Sequence, residues 1–261
     1  MKLILSAYKS VEENAQTYFE KAKKSKKKLD GALIALEHWK QQKQKLLTQQ
    51  EAAFAATKQK PVKYDVPSHW YHKFRWFFTS DGFLVVGGRD ATTNEIIIKK
   101  HTQAQDLVFH TDMAGSPFFV IKSDGKTISK TAIRETADAT CTFSRAFQLG
   151  IGTQSVFYVK PDQVTKEAQS GEYLTKGAFM IRGKTNYTEN KINLAVGITK
   201  DHEVMAGPFE AVSVYCKPVV VLRSGKEKVS NTAKKLSRML SYHDLDTLIR
   251  VLPAGSFEIS S

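Results

Sequence analysis

The 261-residue chain has only two cysteines, Cys141 and Cys216, far apart and without CxxC spacing, so it can build neither a disulfide framework nor a cysteine-rich zinc module. Both thiols are expected to be reduced. No apolar run approaches the roughly 18 residues that span a bilayer, and Met1-Lys-Leu-Ile-Leu-Ser6 lacks the apolar core of a secretory signal. These absences predict a cytosolic protein with no membrane partner. Acidic residues are scarce as well: 26 Asp+Glu against 39 Lys+Arg leave a formal charge of +13. Such a balance favours anionic partners through counterion release, without specifying any nucleotide sequence. There is no internal repeat and no regular βαβ alternation.

What is present falls into two parts, residues 1–60 and 61–261. In the first, Ser10-Val-Glu-Glu13 has the pattern of a capping box, in which Ser10 and Glu13 satisfy amides at a helix start, so a helix is expected from Val11. Val11, Ala15, Tyr18, Ala22, Ser25, Leu29, Ala32, Leu36, Trp39, Lys43, Leu46, Gln50 and Ala53 then alternate four- and three-residue steps, the spacing of a coiled-coil seam. Unbroken to Thr57, the helix would extend about 70 Å at 1.5 Å per residue, and Gly31 offers the one obvious place where it could bend. The segment holds 13 lysines and 6 acids, with the lysines densest from Lys21 to Lys28. A lysine run on a helix is ordinarily a solvated face; the competing reading is a phosphate clamp. An exposed apolar seam of this length predicts that the segment pairs antiparallel in a homodimer, bends near Gly31 into a self-packed hairpin, or engages a partner protein, with the homodimer preferred because the spacing persists across Gly31.

Pro61 and Pro67 bracket an expected linker. Beyond it, strands are expected at Phe74–Phe78, Phe83–Val86, Glu95–Lys99, Leu107–His110, Phe118–Lys122, Val156–Val159, Phe179–Arg182, Leu194–Ile198, Val212–Tyr215 and Val219–Leu222. Helices are expected at Ser129–Phe147, Asn231–Leu240 and Asp244–Val251, the strand at Val219–Leu222 leading through Ser224-Gly-Lys226 into the second of them. The fold class is therefore α+β: a mixed β-sheet domain with flanking helices, preceded by a long amino-terminal coiled-coil helix.

The richest stretch is Lys73-Phe-Arg-Trp-Phe-Phe-Thr-Ser-Asp-Gly-Phe-Leu-Val-Val-Gly-Gly-Arg-Asp90. Aromatic and β-branched runs around Asp81-Gly82 form a hairpin. The meander sets Arg75, Arg89, Lys99 and Lys100 beside aromatic faces, which suits a nucleic-acid backbone and unstacked bases. It is followed in order by Asp106-Leu-Val-Phe-His110, Ser144-Arg-Ala146, Gln163-Val-Thr-Lys166, Ser170-Gly-Glu-Tyr-Leu174 and Phe179-Met-Ile-Arg-Gly-Lys184. This series resembles the RNA-binding region of the NFACT proteins, factors of ribosome-associated quality control. The likeness is close from about Trp70 to Gly197 and looser over the preceding helix and the tail to Phe257.

The resemblance implies an RNA-binding, ribosome-associated module of translation quality control without a cofactor, binding the large subunit (rRNA) or tRNA in stalled complexes. It also implies that the residue 11–57 helix is one strand of an antiparallel coiled-coil arm. NFACT proteins place an amino-terminal domain with an Asp-Pro-Arg motif, a helix-hairpin-helix and the first arm helix before this point. None of these is in the chain, so autonomous tRNA selection is not expected of it.

The residues and the resemblance together nominate Arg75, Arg89, Lys99, Lys100, His110, Arg145, Lys166, Tyr173, Arg182 and Lys184 as RNA-contacting. Arg89-Asp90 with Asn94-Glu95 reads either as a turn stabilised by a salt bridge or as a phosphate-binding arginine held by an acid. On a strand, Lys99 and Lys100 would face opposite sides, so only one could join Arg89. His110-Thr-Asp112 could be a base with its orienting acid, or two metal ligands. Ala114, however, stands where most family members carry a second histidine, so no metal or catalytic set is expected and His110 is assigned to stacking on or bonding RNA. Arg182 and Lys184 share strand parity and with Lys166 and Tyr173 would form a phosphate and base platform; the bland reading makes Tyr173 and Phe179 core. Gly183-Lys-Thr185 is no nucleotide loop, since Ala178 occupies the earlier glycine position. The alternative class is an enzyme acting on RNA or nucleotides through His110, Asp112 and Glu172, distinguishable by metal-dependent cleavage.

Overall fold

Helix α1 (Val11–Ala56) begins where the capping box places it: the Ser10 amide donates to Glu13 Oε2 at 2.8 Å and the Glu13 amide donates to Ser10 Oγ at 3.2 Å. The computed structural model describes residues 4–56, 69–167 and 174–260, with α1 side chains described as far as residue 46. Asn14 braces the turn before the helix. Its Nδ2 donates to the carbonyls of Ser6, Lys9 and Ser10, and its Oδ1 accepts from the Ser6 amide. The helix runs through Gly31 without a break, so it does not fold back there into a hairpin. A single glycine costs only about 1 kcal/mol relative to alanine, too little to interrupt a helix of this length. Val11, Leu29, Leu36, Trp39 and Leu46 of the seam are exposed, as are Phe19, Leu33 and Ile34. Pro61 and Pro67 lie outside the described residues. No helix among those described is long and apolar enough to cross a membrane.

The chain divides into two units, Met1–Val62 and Lys63–Ser261. In the second, a 3-10 turn (Trp70–Lys73) leads into β1 (Arg75–Phe78) and β2 (Leu84–Gly87). Next come α2 (Ala91–Lys100), β3 (Leu107–Thr111), β4 (Phe119–Ile121), α3 (Lys130–Thr142), α4 (Arg145–Leu149), β5 (Val156–Val159), β6 (Val164–Thr165), β7 (Met180–Ile181) and β8 (Asn186–Thr188). The chain finishes with β9 (Leu194–Thr199), β10 (Val204–Gly207), α5 (Phe209–Tyr215), β11 (Cys216–Lys228), α6 (Val229–Met239), α7 (Leu245–Val251) and β12 (Ser256–Ser260). A six-stranded sheet has the order β1-β2-β4-β3-β5-β8, a four-stranded sheet β10-β9-β11-β12, and β6 pairs with β7. Every described pairing is antiparallel, which gives the α+β class its segregated sheets and helices. Phe74, Phe77, Phe109, Phe119, Phe147 and Phe257 are fully buried, each contributing about 1.5–3 kcal/mol of hydrophobic stabilisation.

Four local expectations are corrected. Glu95–Lys99 is not a strand but part of α2. The Asp90 carboxylate accepts from the Thr93 amide at 2.8 Å while Thr93 Oγ1 accepts from the Arg89 and Asp90 amides, a cap that overrides the β-preference of Ile96-Ile-Ile98. Lys99 and Lys100 consequently stand exposed in the last turn of a helix, not on opposite faces of a strand. Ser129–Phe147 is two helices, because Ser144 Oγ accepts from the Ala146 amide at 3.1 Å and starts a second one. Val212–Tyr215 is helical: Pro208 precedes α5, Asn193 Oδ1 receives the Phe209 amide at 3.0 Å, and Ala211 and Val212 are buried together. Ser224-Gly-Lys226 is a bulge inside β11, where the register against β12 shifts between Ser224 and Glu227.

Candidate nucleic-acid interface

The end of β2, the start of α2, the 114–118 loop and the 175–179 segment enclose a cleft of about 450 Å³. Its geometry depends on two glycines. A Cβ at Gly88 would lie 1.8 Å from Asn94 Oδ1, which accepts from the Phe118 amide at 3.2 Å, so β2, α2 and the loop close on one another only over a bare backbone. Gly177 has φ of +81° and approaches so closely that a Cβ would fall 2.5 Å from Ala91. Its amide donates to Glu95 Oε1 at 2.9 Å, the oxygen that also receives Lys166 Nζ. Those two bonds, the Lys166 ammonium first, hold the Glu95 carboxyl down at about 2. Lys166 also lies 5.1 Å over the Phe179 ring. Glu95 therefore fastens the 175–179 wall to α2.

Both arginines of the cleft also serve the fold. Arg75 Nη1 donates to the Val251 and Leu252 carbonyls at 3.3 and 3.1 Å, closing the end of α7, and its guanidinium stacks 4.5 Å from the Phe143 ring. Arg89 Nη2 donates to the Phe74 and His72 carbonyls at 2.7 and 3.2 Å, while its Nε is buried without a hydrogen-bond partner. Burial, with the neighbouring Arg89 charge, lowers Arg75 to about 10; burial and Arg250 lower Arg89. Two partly buried guanidinium charges thus stand near like charge, an electrostatic setting that an anion relieves. Lys176 is exposed at the cleft, and the exposed Arg145 borders it, its side chain 3.6 Å from where a Gly115 Cβ would sit.

His110 lines the same cleft. Its Nε2–H donates to the Ser116 carbonyl at 3.1 Å, and its ring stacks on Phe118 at 4.2 Å. Burial lowers its pKa. Asp112 is exposed and accepts from Tyr187 Oη at 3.3 Å. No hydrogen bond joins the two, and among the described residues neither belongs to a group of three side chains able to share a metal.

The structure therefore brings Arg75, Arg89 and His110 together, puts Arg145 beside them and makes Lys166 a brace. Lys99, Lys100, Arg182 and Lys184 do not line the cleft; Arg182 Nη2 donates to the Glu167 carbonyl at 3.2 Å and Lys184 is exposed. Tyr173, with Ser170–Glu172, lies outside the described residues. Sequence reasoning missed Phe143 and Lys176. Of these only Lys176 carried a signal, as a lysine beside Gly177 within the motif-rich segment.

Residues 73–183 match the profile of the NFACT protein RNA binding domain. The chain is 42% identical over 197 residues to the archaeal Rqc2 homolog aRqcH of Methanocaldococcus jannaschii, covering 73% of this chain and 29% of that protein. It is 33% identical over 191 residues to the ribosome quality control complex subunit NEMF homolog of Drosophila melanogaster, covering 71% and 18%. With the ribosome quality control complex subunit NEMF of Homo sapiens the identity is 34% over 179 residues, covering 67% and 16%. The chain thus spans less than a third of the length of these relatives. The matched segment contains every residue that lines the cleft except Ala254, and the chain carries the RNA-binding domain of the NFACT family.

Proposed function

We propose that the cleft receives the backbone of ribosomal RNA or tRNA, with an unstacked base against its aromatic wall, and that the protein acts in ribosome quality control in the cytoplasm at the large subunit. The observation that carries this reading is the convergence of desolvated Arg75 and Arg89, exposed Lys176 and the rings of Phe118, Phe143 and Phe179 on one cleft. Guanidinium and ammonium groups bind phosphate and ring faces bind bases. The names of the relatives, ribosome quality control subunits, support the setting. The site binds rather than catalyses, because the Nε2–H of His110 is committed to Ser116 and Asp112 does not orient it.

Lys176→Glu with Arg145→Glu is the direct test, since both side chains are exposed. Fluorescence anisotropy against tRNA and an rRNA fragment should show weaker binding to both, with the salt slope reduced by about 0.7–0.9 per lost phosphate contact. Unchanged affinity and slope, or metal-dependent cleavage of the RNA by wild type, would overturn the reading. Co-sedimentation with separated ribosomal subunits tests the large-subunit assignment.

The arm is assigned to pairing with a second copy of itself, because its exposed seam continues past Gly31 in one unbroken helix. Apolar area left in water costs about 25 cal/mol per Å², which an antiparallel partner removes. Sedimentation equilibrium should find a dimer that Leu29→Asp/Leu36→Asp abolishes; a monomeric wild type at micromolar concentration would instead assign the seam to another protein.

A further inference from the structure

Away from the cleft, three ligand-bearing side chains converge from distant parts of the chain. His69 precedes the Trp70–Lys73 turn and His72 lies within it, while Glu203 sits in the connection between β9 and β10. One ligand atom from each lies within 4.8 Å of the other two. His72 Nε2 and Glu203 Oε1 are 2.9 Å apart, yet both atoms are buried and neither has a hydrogen-bond partner. The pair is close without satisfying itself: the imidazole N–H direction misses the carboxylate. His69 is exposed, stacked on Tyr71 at 5.0 Å, with its ring perpendicular to that of His72 at 5.1 Å.

We propose that His69, His72 and Glu203 hold a divalent cation of the zinc class, with an open coordination position for water. Two imidazoles and one carboxylate form a recognised three-ligand zinc set. Bonds of about 2.0–2.1 Å put two ligand atoms about 3.3 Å apart at a tetrahedral angle, a spacing between the 2.9 Å of the buried pair and the 4.8 Å limit of the trio. Small movements of exposed His69 complete it. Coordination through Nε2 moves the ring proton of His72 to Nδ1 and gives up the bond that Nδ1 accepts from the His69 amide, which at 3.3 Å is long and weak. Arg89 and Arg250 line the adjoining recess of about 230 Å³ and oppose positive charge there. Binding consequently rests on imidazole donors, which selects zinc-class ions over magnesium or calcium. The ion would tie the turn leading into β1, at the edge of the six-stranded sheet, to the β9–β10 hairpin of the four-stranded sheet.

The test uses the full chain, stripped with a chelator and titrated calorimetrically with Zn²⁺, and is independent of RNA binding. One ion per chain is expected, with the visible absorption of a four-coordinate site when Co²⁺ is substituted and no displacement by excess Mg²⁺. Outer-shell partners alone are worth about 10- to 100-fold in metal affinity, so His69→Ala and Glu203→Gln should each weaken binding by at least that factor. His69→Ala should leave the melting temperature of the metal-free protein unchanged, since the side chain is exposed, and His243→Ala should bind Zn²⁺ as wild type does. Absence of stoichiometric Zn²⁺ binding, or binding unchanged in both His69→Ala and Glu203→Gln, would overturn the proposal.

Discussion

Arg75→Met separates two tasks that the same guanidinium could perform. Arg75 closes the carboxy-terminal end of α7 with hydrogen bonds of 3.3 and 3.1 Å and stacks on Phe143. A hydrogen bond to a charged group is worth about 1.5–3 kcal/mol, a cation at a helix end about 0.3–1, and a cation–ring contact about 0.5–2. Burial opposes these gains: the pKa held at about 10 instead of 12.5, at about 1.4 kcal/mol per unit, means that keeping the charge inside costs on the order of 3 kcal/mol. Both hydrogen bonds are long, so the lower ends apply, and Met keeps the apolar stem against Phe143. The net loss should be about 1 kcal/mol, or a fall in Tm of about 2–4 °C for a domain of this size. Thermal and denaturant unfolding followed by tryptophan fluorescence measure it. RNA anisotropy, run well below the new Tm, should fall less than for Lys176→Glu. A Tm within about 1 °C of wild type combined with a larger binding loss than Lys176→Glu would refute the capping role and make Arg75 primarily an RNA contact.

Asp106→Ala should cost about 3–5 kcal/mol in denaturant unfolding, because it strands Lys122 in the core with only the His101 carbonyl and frees the Gln103 and Ser123 amides; a loss under about 1 kcal/mol would mean that water reaches the pair. His101 and His110 are both lowered by burial, so the unfolded chain takes up their protons first. Stability should hold above about pH 6.5 and fall as pH drops from there toward the folded pKa values, and His110→Gln should flatten part of that slope in denaturant midpoints taken between about pH 7.5 and 5.5. Gly177→Ala should lower both Tm and RNA affinity, because the wall it anchors cannot close against Ala91 at 2.5 Å. Gly125→Ala shares a positive φ but meets nothing within 4 Å, so it should lose only about 1–2 kcal/mol; equal effects of the two would reject the close approach as the cause.

Short-range signals carried much of the architecture. The Ser10–Glu13 box fixed the start of α1, the aromatic runs around Asp81-Gly82 produced the β1–β2 hairpin, and Val156–Val159 is a strand with the boundaries read from its pattern. Each depends on contacts a few residues apart, which the order of side chains specifies directly. The ordered motifs and the surplus of positive charge likewise point to RNA.

Other features were decided only in three dimensions. Ile96-Ile-Ile98 favours a strand locally, and the Asp90 cap together with burial of Ile97 makes it helix; Val212–Tyr215 alternates like a strand, and packing of Ala211 and Val212 makes it helix as well. Propensity differs by a fraction of a kcal/mol per residue, so burial of one face outweighs it. Arg75 and Arg89 were legible as cations but not as backbone caps, since the carbonyls that Arg75 meets lie 176 and 177 residues away. The sequence by itself determined the family, the charge and the local elements. Tertiary structure decided which cations share a cleft, which are committed to the fold, and that His69 and His72 meet Glu203, because these depend on how sheets and helices pack residues far apart along the chain.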